Sequence, residues 1–282
     1  MSYDDIPALE HPRDLFDLSG RVILIVGGAG LLGRQFAATL GHAGAQVVLA
    51  DVDAARSEEA AAEAAGRTGA KVWAVAMDAG REESVRQAVG ELRQRAGRLD
   101  GLIFGPMAKP AGYYKPFGDY RLEAWRAVID TNLTGAFLCC REAAPLLAER
   151  GGSVVLVSSV YGLVGPDQRI YEECSPAGNI YGGADPLNAP APYAASKAGL
   201  AGLGRYLATL WGPRGVRVNV LFPGGVWDGH EEAFHRRYVA RTVLGRMAVR
   251  SDFNGAVLFL MSDASRYMTG AHLIIDGGWT AW

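Results

Sequence analysis

Cysteine is scarce in this sequence, with three in 282 residues: Cys139, Cys140 and Cys174. Two are adjacent in an apolar run, and no Cys-x-x-Cys or mixed Cys/His spacing occurs. Neither a metal site nor a disulfide framework is therefore expected, and the plain reading is free thiols in a reduced cytoplasm. An excess of positive charge is also lacking: 28 Lys and Arg face 30 Asp and Glu, a formal net charge of −2. That balance excludes the basic footprint of a nucleic-acid binder. Long apolar runs are missing as well. Stretches such as 22–26 and 154–157 fall far short of the roughly 20 residues that cross a bilayer. The segment 1–16 is acidic and contains proline, unlike the basic start and apolar stretch of a secretory signal. A cytoplasmic protein with no membrane or nucleic-acid partner is expected.

What is present is a strand–helix rhythm. β-Branched runs at 22–26, 46–51, 71–77, 102–104, 153–158, 216–220 and 272–275 read as strands. Ala-rich amphipathic stretches at 31–43, 54–66, 82–96, 121–149, 193–211 and 252–262 read as helices. Alternation at this spacing, with strands apolar throughout, predicts a doubly wound α/β Rossmann fold: a central seven-stranded parallel sheet with helices on both faces. No repeat and no Gly/Ser linker interrupts it. One catalytic domain is expected over 21–282, after an N-terminal extension at 1–20. Two segments break the rhythm. The stretch 166–192 is rich in Pro and Gly, too poor in periodic apolar residues for a core element, and reads as a lid-like insert. The stretch 224–247 is a glycine turn followed by a short charged helix on the substrate side.

Many of the 37 glycines have a purpose that can be read. Gly28-x-Gly30-x-x-Gly33 directly follows the first strand and opens the first helix. Glycines there permit a tight turn and close approach of backbone N–H groups to a pyrophosphate, and the helix N-terminus adds partial positive charge. The second strand ends at Asp51, where a carboxylate accepts hydrogen bonds from ribose hydroxyls and repels a 2′-phosphate. No basic residue directly follows it, so NAD(H) is expected in preference to NADP(H). Further on, Tyr193-x-x-x-Lys197 places a phenol and an ammonium on one helix face, where a cation lowers a phenol's pKa. The strand-end pair Ser158-Ser159 precedes them and Asn219-Val-Leu-Phe-Pro-Gly224 follows.

The order of glycine loop, Asp51, Asn132, Ser159, Tyr193 and Lys197 resembles the short-chain dehydrogenase/reductase family, single-domain type, from about Leu15 to the end. The resemblance implies that Tyr193 is the general acid/base and that Lys197 lowers its pKa and holds the nicotinamide ribose. It implies that Ser159 binds the substrate oxygen, and that Asn132 sits at a helix irregularity supporting a proton-relay water. The cofactor residues so implied are Gly27, Gly28, Gly30, Leu31, Leu32, Gly33, Asp51, Val52, Asp78, Ala79, Tyr193, Lys197, Pro223, Gly224 and Val226. Asp78 matches an adenine-contacting Asp, or caps the next helix. Some positions depart from the pattern. Leu31 replaces a glycine, Phe104-Gly105-Pro106-Met107 replaces the usual Asn-Asn-Ala-Gly, and Asp228 stands where a Thr commonly meets the carboxamide.

The segment between Ser159 and Tyr193 carries Gln168, Arg169, Tyr171, Glu172, Glu173, Asn179, Tyr181 and Asp185. This mixture suits a hydroxylated ligand better than an acyl chain. His230, His235, Arg236, Arg237 and Arg241 form either an anion-facing cluster or a solvated helix face. Tyr161-Gly-Leu-Val-Gly-Pro-Asp167 and Tyr171-Glu-Glu are similar to oxidoreductases of bacterial surface-sugar pathways, including legionaminic-type ones. Leu15-Phe-Asp-Leu-Ser-Gly20 resembles gluconate-type dehydrogenases. The expected activity is interconversion of a secondary alcohol and a ketone on a sugar, sugar acid or sugar phosphate. A 3-oxoacyl thioester reductase and a non-catalytic NAD(H)-binding protein are the alternatives. An apolar tail with Trp279 and Trp282, solvated in a monomer, marks an interaction surface whose aromatic content suits closure over a neighbour's pocket, and the family resemblance implies a homotetramer with this segment at an interface.

Overall fold

The computed structural model describes residues 11–282. The extension expected at 1–20 lies partly outside the described residues; its remainder holds a short 3₁₀ turn, Pro12–Phe16. Seven strands form one sheet: β1 (Val22–Val26), β2 (Gln46–Asp51), β3 (Val72–Ala76), β4 (Gly101–Phe104), β5 (Gly152–Val157), β6 (Val216–Pro223) and β7 (His272–Ile275). Every pairing is parallel, in the order β3-β2-β1-β4-β5-β6-β7.

Alternation of side chains along each strand divides the interior into two cores. Val22, Leu24 and Val26 face the side covered by α3 (Glu82–Ala96), α5 (Gly135–Ala148) and α6 (Ala191–Trp211). Ile23 and Ile25 face α1 (Leu31–His42), α2 (Ala54–Thr68) and α8 (Asn254–Met261). A strand buried on both faces needs apolar residues at every position, which is why these runs read as continuous.

The stretch 121–149 is not one regular helix. It divides into α4 (Leu122–Ile129), a π-helical turn at Asp130–Thr134, and α5. Gly135 starts α5 so close to the loop after β3 that a Cβ would lie 2.8 Å from the Ala79 carbonyl oxygen. The wide turn sets Asn132 inward, at the helix irregularity the family resemblance implies.

A third, smaller core sits over the C-terminal ends of the strands. Tyr113, Tyr161, Ile170, Leu187, Phe234, Tyr238 and Trp279 belong to it. Two expectations change here. The insert 166–192 does supply core residues, Ile170 and Leu187, without helical or strand periodicity because its turns are 3₁₀ or irregular. And Trp279 is 2% exposed, stacked on Tyr238 at 4.3 Å in its own subunit, so solvation does not compel it to seek a neighbour. Of the two tail tryptophans Trp282 is the exposed one, with its indole N–H donating to the Arg241 carbonyl at 3.2 Å.

Candidate active site

The strand order reverses between β1 and β4, and a crevice opens at their carboxyl ends, the usual place for a ligand in such sheets. The cleft there encloses about 1260 Å³. Its floor begins with the turn out of β1. Gly27 has a φ of +79°, and a Cβ on it would lie 2.9 Å from the Pro106 nitrogen. On Gly28 a Cβ would lie 2.8 Å from that of Leu49, so both positions admit only glycine. Gly30 precedes α1, no side chain caps that helix, and Leu31, Leu32 and Gly33 of its first turn line the cleft. The uncapped N–H groups suit a diphosphate.

Asp51 closes β2. Its Oδ2 accepts from the Ala29 N–H at 3.1 Å and its Oδ1 from the Asp53 N–H at 3.3 Å. The carboxylate therefore also braces the loop. Val52 beside it is 73% exposed. Arg34 and Arg56 reach the same end of the cleft, which adjacency in sequence did not reveal. Arg34 is held by Glu59 at 3.1 Å and Glu63 at 3.2 Å. Asp78, Ala79, Pro223, Gly224 and Val226 complete this half, while Gly28 lies behind the lining. Asp78 is not the cap of α3, which is Arg81; its Oδ1 instead accepts from the Gly80 N–H at 3.0 Å. Phe104-Gly105-Pro106 still joins β1 to β4. Phe104 is buried in the core, and the Gly105 N–H donates to the Val26 carbonyl at 3.0 Å.

Ser159, Tyr193 and Lys197 meet in the middle of the cleft. Ser159 leaves β5 extended, and its Oγ accepts from the Tyr161 N–H at 3.2 Å. Tyr193 stands in the first turn of α6, which starts at Ala191, earlier than the sequence suggests, because Pro192 fits a helix start. Lys197 follows one turn on, 3% exposed, donating from Nζ to the Val157 carbonyl at 2.9 Å and lying 5.8 Å from the Tyr193 ring centre. Burial raises the Tyr193 phenol above its usual range, and the Ser159 hydroxyl draws it back. Burial lowers Lys197 to about 8. Removal from water thus dominates at Tyr193, opposed by Ser159, and no lowering by Lys197 accompanies them. Asn132 does not line the cleft. Its Oδ1 accepts from the Ala108 N–H at 3.0 Å and its Nδ2 donates to Ser196 Oγ at 3.1 Å, so it positions a loop and α6.

The other half of the cleft is walled by tyrosines, with His230, Phe234, Asp228 and Arg250. Asp228 pairs with Arg250 at 3.1 Å. Of the basic residues of 224–247, Arg237 binds Glu173 and Arg241 binds Asp167, both at 2.7 Å, so these two neither face the ligand nor lie free in solvent. They clasp the insert to α7 (Glu232–Ala240), helped by Glu231 Oε1, which accepts from the Ser175 N–H at 2.9 Å. Glu173 has a φ of 66°, a conformation rare for a residue with a side chain. Sequence reading missed Lys109 and Tyr113. Both lie in the loop after β4, where the strand-end rule for ligands points.

Two family models match: short chain dehydrogenase over residues 21–172, and enoyl-(acyl carrier protein) reductase over residues 179–280. An uncharacterized oxidoreductase of Mycobacterium tuberculosis is 36% identical, covering 94% of this chain and 93% of its own. Trans-4-hydroxycyclohexanecarboxylate dehydrogenase of Sinomonas cyclohexanicum is 35% identical, covering 93% of each. D-threitol dehydrogenase of Mycolicibacterium smegmatis is 31% identical, covering 94% and 95%. A gluconate 5-dehydrogenase of Burkholderia cenocepacia, solved with NADP and tartrate, superposes with a TM-score of 0.83 at 26% identity, over 96% of this chain and 100% of its own. A short chain dehydrogenase of Leptospira borgpetersenii with bound NAD+ gives 0.79 at 28%, over 98% of each. With its parallel sheet and these matches, the chain belongs to the short-chain dehydrogenase/reductase family and is an oxidoreductase acting on CH–OH groups.

Proposed function

We propose that the protein interconverts a secondary alcohol and a ketone on a sugar, sugar acid or sugar phosphate, with NAD(H) in preference to NADP(H). The observation that carries this reading is the convergence of Ser159, Tyr193 and Lys197 at the centre of one cleft. A nicotinamide dinucleotide on the Gly27–Gly33 loop supplies the hydride chemistry. The chain's own residues do the rest. Ser159 Oγ donates to the substrate oxygen and fixes the carbinol beside Tyr193. Tyr193 Oη gives a proton to that oxygen in reduction and takes one in oxidation. Lys197, packed below Tyr193, is placed to meet the ribose. The tyrosine wall limits water around the reacting carbon.

The names of the relatives, a threitol, a hydroxycyclohexanecarboxylate and a gluconate dehydrogenase, support a hydroxylated and compact substrate. Structural neighbours hold either NAD+ or NADP. Asp51 favours NAD(H) here, because it repels a 2′-phosphate and Arg34 is already occupied by two glutamates. No helix among the described residues is long and apolar enough to cross a membrane, in keeping with work in the cytoplasm. Exposed Tyr267 and Ile274, at the edge by β7, support assembly into a homotetramer. The test is a panel of polyols, sugar acids and sugar phosphates read as NADH absorbance and repeated with NADPH. We expect turnover of at least one member and a lower KM for NADH. Activity confined to 3-oxoacyl thioesters, or a preference for NADPH, overturns the reading.

A further inference from the structure

The tyrosine-walled half of the cleft holds one ammonium, Lys109, that no carboxylate among the described residues pairs with. Lys109 follows β4, and the Ala108 N–H bound to Asn132 fixes the main chain just before it. Its Nζ lies 2.9 Å from the centre of the Tyr181 ring. Tyr181 comes from the insert, stacks on Tyr114 at 6.5 Å and meets His230 edge-on at 6.1 Å. Among the described residues no carboxylate makes an ion pair with Lys109. Asp228 is the acid whose charge reaches it, and that carboxylate is turned to Arg250. Burial lowers Lys109 to about 8, which leaves it mostly charged at neutral pH. A cation that has lost much of its water and gained only an aromatic face is under-satisfied.

The surrounding charge says which anion fits. Asp228 and Arg250 cancel, as do Lys115 and Asp185 at 2.9 Å. Burial lowers His230 below 6.5, so it is neutral. In the tyrosine-walled half, beyond Lys197 at the centre of the cleft, one positive charge remains. A phosphate, close to dianionic at neutral pH, is held by several cations or by a helix N-terminus. α7, which carries Phe234 and Tyr238 of this wall, opens with Glu231 and Glu232, and α6 has in its first turn Pro192, which has no N–H to offer. A carboxylate matches a single ammonium.

We propose that Lys109 receives a carboxylate of the substrate, which makes the substrate a hydroxy acid and its product the corresponding keto acid, rather than a neutral polyol or a polyol phosphate. This rests on the alcohol–ketone reading above, with Tyr193 at the carbinol. Lys109 then sets specificity through binding, and the proton at the carbinol stays with Tyr193.

Gluconate, glucitol and glucitol phosphate differ chiefly in the group offered to Lys109. We expect kcat/KM with NAD+ to favour gluconate. Lys109→Met should lower the acid-to-polyol ratio ten- to a hundredfold, the range for a hydrogen bond to a charged group, mainly through KM. Lys109→Arg should restore much of the ratio. A wild-type preference for glucitol or its phosphate, or a Lys109→Met variant that keeps the acid preference, overturns the inference. Glucitol turnover that Tyr193→Phe abolishes, with no use of the acid, leaves the alcohol–ketone reading standing and removes only the role of Lys109. If the wild type oxidises nothing, thermal shift with gluconate and NAD+ decides. Stabilisation lost in Lys109→Met then supports the carboxylate site and removes the oxidoreductase reading of substrate, whereas equal shifts overturn the site.

Discussion

At the scale of single residues, the proton chemistry depends on one phenol. Tyr193→Phe removes an oxygen without changing packing volume, so the fold and NADH binding should survive while the rate falls by roughly 10²–10⁴. Steady-state kinetics within a few-fold of wild type would take Tyr193 out of this role. Lys197 gives a prediction in pH. Folded, it titrates near 8; unfolded, it returns to the ordinary 10.5. Between those values the unfolded chain binds the extra proton, so stability from this group rises with pH, by at most about 1.4 kcal/mol per unit. Below 8 both states are protonated and the burial cost is constant. Urea unfolding of wild type against Lys197→Met should show the wild type gaining between about pH 8 and 10.5, the two values between which the unfolded chain holds the extra proton. A constant difference would mean that Lys197 is solvated. Ser159, Tyr193 and Lys197 are legible in sequence because helix spacing and a strand end hold them in local frames. Lys109 is not, because Tyr181, His230 and Asp228 reach it only through the fold.

Elements were legible where periodicity was clean. All seven strands and the flanking helices appear within a few residues of the patterned runs. The π-turn at Asp130–Thr134 leaves no mark in apolar spacing, since one widened turn shifts the register too little. The stretch 166–192 carries no sequence sign of a core because its core residues are few and unevenly spaced, and its attachment to α7 depends on charges distant in sequence. That attachment is testable through Arg241. Its guanidinium binds Asp167 at 2.7 Å and lies 5.2 Å from the Trp279 ring centre, joining insert, α7 and tail. The pair is half-buried, but Arg169 also holds Asp167 at 2.8 Å, so Arg241→Ala leaves that carboxylate paired and should lower the global melting temperature only modestly. Substrate KM should rise several-fold and amides in 166–192 should exchange faster, with NADH affinity unchanged. Unaltered exchange in that segment would show that the clasp does not hold it.

At the scale of the molecule, the tail must be divided between two tasks. Trp279 belongs to the subunit's own aromatic core, and Trp279→Ala should cost about 3–5 kcal/mol whatever the assembly state. Assembly is better probed at Tyr267 and Ile274, which are exposed and outside that core. Light scattering should show an oligomer that Tyr267→Glu with Ile274→Glu reduces to smaller species while circular dichroism is kept. A wild type that is monomeric at micromolar concentration would end the tetramer proposal.

The strand order also bears on how the chain is assembled during synthesis. β1 to β3 extend the sheet toward one edge, and β4 to β7 are then added toward the other, each beside the strand before it except β4, which joins β1. No later strand has to be inserted between two already paired. A chain emerging in N-to-C order thus lays down the nucleotide half early, before the insert, α7 and Trp279 exist to wall the substrate half. Trp279 arrives last and seats on Tyr238 in the aromatic core beside the substrate half. Nascent chains halted before the insert should therefore be able to recognise nucleotide while lacking any selectivity among alcohols.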